Sequence, residues 1–304
     1  MKIAVPDLIS PSYFPVEAAV ELGCFAAQGI DMQLELISPV ERAYEAMKAG
    51  EIDFVAGSAH SSLSAFPRWE GVKLLCAQSQ GMYWFLVMRS DLGAKRGDLN
   101  TVKGRRIGAA PWVGMGLRQL LIESGIDPIH DNVTIAPTAG SLEPRVNFGR
   151  AAERALAAGA IDGFWANGMG AGLAVQNGTG TVVLDARRDD SAKFAFNYTM
   201  ATVACTERLL AEKLDVASAV VRAVAQAQKL LIAEVGRAEA IGKALFPEES
   251  QLIVELVRRD LPYYQAHLDQ AFVQGMNTFA RNIGILDADV PYEAVVAEQM
   301  QPYW

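Results

Sequence analysis

The chain has 304 residues, of which 51% are hydrophobic and 20% charged, and a formal net charge of −8 at pH 7. This composition is typical of a globular protein of about two domains and not of a disordered one. The acidic balance and the absence of a dense Lys/Arg cluster argue against a nucleic-acid partner.

The chain carries few signs of covalent or metal chemistry. The three cysteines, Cys24, Cys76 and Cys205, form no CxxC pair and are expected to be buried thiols, not disulfides. The three histidines lack metal-ligand spacing. The sequence therefore predicts no metal site and no cofactor.

The sequence also bears on location. No apolar run approaches the length of about 18 residues that a membrane span needs. Met1 leads directly into a predicted strand at Lys2–Val5, which leaves no room for a secretory signal. We therefore expect a cytoplasmic protein, or a periplasmic or cell-surface protein if a leader has been removed.

The first part of the chain predicts strands that alternate with helices. After Lys2–Val5, a helix is expected from Pro15, and residues 30–37 alternate apolar and polar side chains as a strand with one covered face does. A second helix is expected to end at Gly50, where a positive φ suits a C-terminal cap. Residues 52–55 then form a buried strand that opens into a small polar tip.

That second helix and strand recur later in the chain. Ala46-Met-Lys-Ala-Gly-Glu-Ile-Asp-Phe-Val55 is echoed by Ala155-Leu-Ala-Ala-Gly-Ala-Ile-Asp-Gly-Phe164, which also runs into a polar tip at residues 166–168. Two lobes, each with one copy, explain the echo. The alternative is that Gly-x-Ile-Asp is only a common helix-to-strand joint.

The remaining pattern continues this alternation and then becomes helical. Predicted strands lie at residues 72–77, 83–88, 106–109, 133–136, 161–165 and 181–184, with an extended stretch at 194–203. Residues 111–116 read as a glycine-containing tip before a helix over 117–122. Helical periodicity then covers residues 209–234, 238–245, 249–260 and 263–283.

Uncharged polar and aromatic side chains collect in the loops that follow the strands. In open α/β sheets these loops bind ligands, and aromatic walls with a few fixed donors describe a small-molecule pocket. The predicted ligand-binding residues are Ser10, Ser12, Tyr13, His60, Ser61, Gln78, Trp84, Trp112, Gly114, Met115, Trp165, Asn167, Asn197 and Tyr198. For the tryptophans, a plain core position is the alternative.

Gly114 and Met115 are candidates through their main chain and not through their side chains. At a helix start, their N–H groups could bind a carboxylate, sulfonate or phosphate. The segment is not a P-loop, because the required Lys and Ser/Thr are missing.

Signals for catalysis are thin. Ser10, His60 and Asp53 could be assembled into a triad, but no G-x-S-x-G elbow is present. A pair of Cys24 and His60 would need an exposed thiolate, whereas Cys24 is expected to be packed. The sequence predicts no catalytic residue, with His60 as the alternative.

Several segments resemble one family. Residues 12–35 contain an aromatic-Pro pair, Glu21-Leu-Gly-Cys-Phe25 and Gly29-Ile-Asp-Met32; Asp98-Leu99 and Lys103-Gly-Arg-Arg-Ile-Gly108 follow, then residues 155–165. In this order they resemble the solute-binding proteins of ABC importers in the thiamine-pyrimidine and alkanesulfonate (nitrate/taurine-like) group.

The resemblance implies a type II periplasmic-binding-protein fold. Two α/β lobes would be joined by two hinge strands, near residues 85–89 and 197–202, with a helical C-terminal portion. Residues 1–87 and 199–304 would form lobe one, and residues 88–198 lobe two. A small aromatic or heterocyclic ligand, which could be anionic, would bind in the cleft, and closure would be read by the transporter.

The implied partners are the small molecule, an ABC permease and its ATPase, and the protein would be a monomer. The alternative is a leaderless cytoplasmic enzyme on the same fold, a pyrimidine-precursor synthase, decarboxylase or desulfinase-like lyase, with His60 as acid or base. The cysteine cluster of the synthases is missing. The first-strand loop has Ser10-Pro11-Ser12 where the desulfinases have a nucleophilic cysteine.

Overall fold

The protein is described by a computed structural model that covers residues 1–143 and 146–304. The chain forms two compact units. Unit 1 comprises Met1–Gly81 and Asn197–Trp304, and unit 2 comprises Met82–Phe196. Each unit contains a five-stranded sheet with helices, so the predicted α/β class with two sheets is confirmed.

Strands and helices alternate up to residue 206, and helices follow. The described strands are β1 (Lys2–Val5), β2 (Gln33–Leu36), β3 (Phe54–Ser58), β4 (Val72–Ser79), β5 (Phe85–Arg89), β6 (Arg106–Gly108), β7 (Thr134–Ala136), β8 (Gly163–Ala166), β9 (Gly180–Asp185) and β10 (Ala201–Thr206). The described α-helices are α1 (Phe14–Glu21), α2 (Cys24–Ala27), α3 (Val40–Ala49), α4 (Pro111–Glu123), α5 (Phe148–Ala157), α6 (Gly168–Gln176), α7 (Glu207–Glu212), α8 (Leu214–Ala233), α9 (Gly236–Leu245), α10 (Ser250–Asp260), α11 (Gln270–Asn282) and α12 (Tyr292–Val295).

The two sheets share one topology. Unit 1 has the order β2-β1-β3-β10-β4, in which β10 is antiparallel to β3 and β4 while β1 is parallel to its neighbours. Unit 2 has the order β7-β6-β8-β5-β9, with β5 antiparallel to β8 and β9. In both sheets the fourth strand is therefore the reversed one.

The central strands are covered on both faces. All five residues of β3 and all four of β8 are buried. Because successive side chains of a strand point to opposite faces, continuous burial means that helices or loops cover both sides. The apolar runs in the sequence reflect this arrangement.

The sequence echo corresponds to the same structural unit in each half. Gly50 ends α3 with φ of 81°, and Gly159 follows α5 with φ of 70°. The carboxylate of Asp53 accepts the N–H of Lys2 at 2.7 Å, and that of Asp162 accepts the N–H of Arg106 at 2.9 Å. Each aspartate thus binds the first residue of the neighbouring parallel strand.

Helix α4 begins earlier than the sequence predicts. Residues 111–116, expected to form a tip, are its first turns, with Pro111 at a position where no N–H is needed. Two glycines are tolerated here because the helix packs closely. A Cβ on Gly116 would lie 3.1 Å from Trp84 Cζ3, and one on Gly114 would lie 3.2 Å from Ile135 Cγ2.

The second half also departs from the predicted boundaries. The stretch expected to be extended, residues 194–203, begins within a 3₁₀ turn over Asp190–Tyr198, and β10 starts only at Ala201. The helix expected over 209–234 is two helices, because Lys213 has non-helical φ and ψ of −137° and 50°. The helix expected from residue 263 begins at Gln270, where the Asp269 side chain accepts the N–H of Phe272. Helices α2, α6 and α12 were not predicted.

Helix α8 is the one described helix that is long and apolar enough to match a membrane span by length and composition. The sequence had predicted no such segment. In the structure 61% of its apolar window is buried, and it packs against α1, α2 and β4. These contacts are those of a core helix of unit 1.

Candidate functional site

The predicted ligand-binding residues are divided between the units, each near the end of a strand. Unit 1 holds Ser10, Ser12, Tyr13, His60, Ser61, Gln78, Asn197 and Tyr198. Unit 2 holds Trp84, Trp112, Gly114, Met115, Trp165 and Asn167. Their role in binding remains a prediction.

In unit 1 these residues lie at one edge of the sheet. Strands β1, β3 and β4 run in the same direction, so their carboxyl ends lie at this edge, where the antiparallel β10 begins. We call it the unit 1 edge, made of residues 6–13, 58–64, 78–81 and 197–202. Within these fully described loops there is no Lys or Arg.

The loop after β1 is anchored over the end of β4. Tyr13 N–H donates to the Ser10 carbonyl at 3.1 Å, and Tyr264 Oη donates to the Pro11 carbonyl at 2.5 Å. Ser79 Oγ donates to the Ser12 carbonyl at 3.4 Å. The start of α1 is thereby held beside β4, although the two segments are far apart in sequence.

The tip after β3 is tied together by short hydrogen bonds. Ser58 Oγ and Ser61 Oγ are 2.6 Å apart, and Ser64 Oγ donates to the Ser61 carbonyl at 2.7 Å. The first residues form a 3₁₀ turn over Ala59–Ser64. The hydroxyl group of Ser61 is therefore used in part to shape the tip.

His60 is buried and is positioned by two elements that the sequence did not connect with it. Its Nδ1 lies 3.0 Å from Thr199 Oγ1, just before β10. Its ring meets Phe279 of α11 edge to face, with centroids 5.5 Å apart, and Phe279 stacks on Tyr198 at 4.5 Å. The sequence gives little indication of these two residues. Thr199 is only a polar residue before a predicted strand, and Phe279 is only an apolar residue in a predicted helix.

Asn197 is held against α11. Its Nδ2 donates to the Ala271 carbonyl at 3.4 Å, and a Cβ on Gly275 would lie 2.5 Å from Asn197 Cβ. The close approach of helix and loop explains why a glycine occupies this position in α11. Part of the polar surface predicted for Asn197 is therefore used in packing.

A buried carboxyl group lies in the first turn of α1. Burial, followed by the charges of Asp7 and Glu21, raises the pKa of Glu17 well above its usual value. A raised pKa favours the protonated, neutral form of the side chain. The sequence pattern gives no sign that Glu17 is buried, because an acidic residue in the first turn of a helix is favourable there when exposed.

None of the three thiols has the environment of a nucleophile. Burial raises the pKa of Cys76 and of Cys205 to about 12, and burial also raises the pKa of Cys24. The thiolate is the reactive form, and these groups stay protonated at neutral pH. In residues 1–143 and 146–304, no group of three or more His, Cys, Asp or Glu could hold a metal ion.

In unit 2, two of the predicted tryptophans are part of the packed interior. Trp165 is fully buried in β8, and its Nε1 donates to the Val113 carbonyl at 3.1 Å. Trp84 lies 6.1 Å from Trp165 between ring centroids and 5.0 Å from Tyr83. These rings support α4. Trp112, in its first turn, is only half-buried.

The main-chain role expected for Gly114 and Met115 is wrong. Gly114 N–H donates to the Ala110 carbonyl at 2.7 Å, and Met115 comes one residue further into α4. The error follows from the early start of the helix.

Asn167 has a structural task at the end of β8. Its Oδ1 accepts the N–H groups of Met169 at 3.1 Å and Gly170 at 3.2 Å, which caps α6. The sequence identified the polar tip but not the cap, since α6 was not predicted.

Unit 2 also contains a buried arginine that the sequence did not single out. The Arg187 guanidinium lies 5.7 Å from the centroid of the Tyr83 ring, just after β9. The carboxylate of Asp185 accepts the N–H of Arg187 at 3.2 Å and the Nη1 of Arg188 at 3.0 Å. Cationic groups are therefore present beyond β9 in unit 2, in contrast to the unit 1 edge.

Comparisons with known proteins give one family and a shared fold. Residues 10–238 match the family described as NMT1/THI5 like. A structure from Bordetella bronchiseptica RB50 has 18% sequence identity and a TM-score of 0.79, with 99% of this chain and 96% of that chain covered. No curated protein matches the chain.

Two further structures differ from each other in function. The alkanesulfonate-binding protein SsuA from Xanthomonas axonopodis pv. citri, bound to MOPS, has 15% identity and a TM-score of 0.72, with 97% of each chain covered. The desulfurization enzyme DSZB has 14% identity and a TM-score of 0.67, with 99% of this chain and 98% of that chain covered. At such identities the likeness shows the fold alone.

Proposed function

The chain belongs to the NMT1/THI5-like family, and we propose that it is the solute-binding protein of an ABC importer. Its ligand is a small aromatic or heterocyclic molecule, and its protein partners are a permease and an ATPase. Exported to the periplasm or cell surface, it works as a monomer. Similarity to the SsuA structure supports this proposal, since that protein binds alkanesulfonate.

The observation that carries the proposal is the unit 1 edge. Neutral polar side chains from loops far apart in sequence are brought to one end of a sheet, and His60 is fixed there by Thr199 and Phe279. Buried polar groups are costly to assemble unless they serve structure or recognition. A pre-organised set of donors and acceptors beside aromatic rings suits capture of a small molecule.

The test is a binding screen over pyrimidines, aromatic acids, sulfonates, nitrate and amino acids. A ligand at 100 times its Kd raises the free energy of unfolding by about 2.7 kcal/mol, which thermal denaturation detects. We expect at least one class to bind and His60→Ala to weaken it about tenfold or more. The exposed His130 provides the control, because His130→Ala leaves the unit 1 edge intact.

A second candidate is an enzyme that uses His60 as acid or base, favoured by the likeness to DSZB. The protonated thiols argue against a cysteine nucleophile. Incubation of the protein with a bound compound, followed by mass spectrometry of the solution, separates the two. A compound recovered unchanged supports binding alone, whereas a product lost in His60→Ala would establish the enzyme.

A further inference from the structure

The side-chain amide of Gln78 is held in one orientation. Its Nε2 donates to the carbonyl oxygen of Thr202 at 3.1 Å. A carbonyl oxygen can only accept, so the NH₂ group must face Thr202 and the side-chain oxygen must face away. The main chain is fixed as well, because Gln228 Nε2 donates to the carbonyl oxygens of Ala77 and Gln78 at 3.1 and 2.9 Å.

Gln78 also occupies an irregular position in the sheet. Ala201 pairs with Ser79 and Thr202 with Ala77, so Gln78 is the extra residue of a β-bulge near the carboxyl end of β4. Bulges turn a side chain out of the regular alternation and are common beside functional sites. Gln78 is thereby placed at the unit 1 edge, close to the loop that follows β1.

The oxygen that faces away from Thr202 is a buried acceptor. Gln78 Oε1 receives no hydrogen bond from any residue in the ranges 1–143 and 146–304. The hydroxyl of Ser10, at the same edge, is likewise buried and unpartnered within these ranges. By contrast, Ser58, Ser61 and Thr199 have partners at the edge. Gln78 Oε1 and Ser10 Oγ are therefore among the groups at this edge that remain for something outside the chain.

The charges near this edge favour a donor over an anion. Lys and Arg are missing from its loops, which the structure describes completely, and Asp7 is its acidic residue. An amide oxygen fixed as an acceptor attracts an N–H or O–H group and repels the oxygens of a sulfonate or nitrate. A site built around such an acceptor rejects analogues that lack the donor.

We infer that the ligand donates an N–H or O–H group to Gln78 Oε1, so that unit 1 selects an uncharged or cationic amide, amine or hydroxyl compound. This inference rests on the proposed function and narrows it. A sulfonate or nitrate group is not what the unit 1 edge recognises.

Isosteric probe pairs test this selection. Benzamide and acetophenone differ by NH₂ against CH₃, as do 3-aminopyridine and 3-methylpyridine, and benzenesulfonate and nitrate serve as donor-free anions. Calorimetric titration is run on the full chain. We expect an amino member to bind about tenfold or more tightly than its methyl partner, and the anions not to bind.

Three variants assign the preference to one atom. Gln78→Met keeps the shape but removes the acceptor, and the ratio within a pair should fall to about one. Gln78→Glu, when protonated at this buried position, keeps a donor for Thr202 and an acceptor oxygen, and should keep the preference, which matters if the Met variant fails to fold. Asn277→Ala is the control: its Nδ2 donates to the Val290 carbonyl at 2.8 Å and its Oδ1 is also buried and unpartnered among the described residues, but it lies in α11. This variant should leave the ratio unchanged.

The outcomes separate the two proposals. Binding of benzenesulfonate or nitrate in preference to the amino probes overturns the inference while leaving solute binding intact, and so does a preference that survives in Gln78→Met. Failure of all amino and amide probes to bind also overturns the inference. The proposed function falls with it only if the wider screen finds no ligand of any class.

Discussion

Units 1 and 2 use the same framework for different surface chemistry. Both have the five-strand order with a reversed fourth strand, and in both an aspartate after the glycine cap binds the start of the neighbouring strand. Their ends differ. The tip after β3 is a hydroxyl-rich 3₁₀ turn with His60, whereas β8 ends at an asparagine that caps α6. The framework is thus independent of the chemistry it carries.

The side chain at one equivalent position of the repeat also differs in size between the two units. Ile-Asp is followed by Phe54 in unit 1 and by Gly163 in unit 2. These residues have equivalent partners, since Phe54 pairs with Ile3 and Gly163 with Ile107. In unit 2 the neighbouring strand β5 lies close to Gly163, so the glycine is a packing requirement.

The largest expected effect comes from Gly163→Ala. The new Cβ would lie 2.5 Å from Met88 Sδ and 2.7 Å from the Val87 carbonyl oxygen. The methionine can move but the backbone oxygen cannot, so the free energy of unfolding should fall by about 2–3 kcal/mol. Urea denaturation followed by circular dichroism measures the loss.

Gly236→Ala is the matched control, because nothing lies within 4 Å of its Cβ position and alanine favours a helix. If both variants were equally stable, β5 would be able to move away from β8, and the size difference between the units would have no energetic meaning.

The next largest effect is the loss of stability on replacing either aspartate of the repeat, which should be greater for Asp162 than for Asp53. Asp162 accepts the Arg106 main chain and side chain, at 2.9 and 3.1 Å, whereas Asp53 is described with a main-chain partner. Asp162→Asn should therefore cost about 1–2 kcal/mol, and Asp53→Asn about 1 kcal/mol or less. Thermal denaturation at pH 7 ranks them.

Low pH should remove the difference in stability between wild type and Asp162→Asn. The Arg106 hydrogen bond, then the Arg106 main chain and charges, hold the pKa of Asp162 below its usual value despite some burial. A lowered folded-state pKa contributes stability above the unfolded value of about 4, and that stability is lost as pH falls through the folded pKa. The difference in stability between wild type and Asp162→Asn should shrink as pH falls from about 4 and vanish only below the lowered folded-state pKa of Asp162. A gap that persisted there would assign the loss to packing.

The smallest expected effect comes from Glu17 in unit 1, whose pKa is raised, whereas the pKa of Asp162 is lowered. The pKa of Glu17 is raised by burial and by Asp7 and Glu21, so the folded state holds a proton that the unfolded state releases. Stability at this position therefore declines as pH rises above about 4 toward the raised pKa. Glu17→Gln should gain stability relative to wild type between pH 5 and pH 8.

The exposed Glu51 supplies the matched control, because Glu51→Gln makes the same chemical change outside the group of Asp7, Glu17 and Glu21. A Glu17→Gln curve that runs parallel to wild type would mean that the carboxyl group is not protonated in the folded protein.

The repeat was predictable because it depends on local chemistry. A glycine at positive φ, Ile-Asp and an apolar run are visible in sequence at both sites, and the fold class follows from them. The contacts of these carboxylates with Lys2 and Arg106 could not be predicted from the sequence. In each contact the two residues are far apart in the chain, by 51 positions for Asp53 and 56 positions for Asp162. The sequence therefore identifies each aspartate but not the strand residue that it binds.

The start of α4 shows the opposite limit. Gly114 and Gly116 suggest a loop by propensity, but they allow the helix to approach Ile135 and Trp84, and tertiary packing outweighs the local preference. The break before α11 could have been found, because Asp269 stands three residues before Phe272 in the pattern of an N-cap. His60 was found from its polar tip, whereas Thr199 was not.

The reversed fourth strand gives the chain an order of assembly during synthesis. Strand β10 lies between β3 and β4, so a ribosome must add residue 206 before the first sheet can be completed. The other sheet uses only β5 to β9 and has all its strands by residue 185. Unit 2 can therefore complete its sheet on the nascent chain before β10, which the sheet of unit 1 needs, has been synthesised.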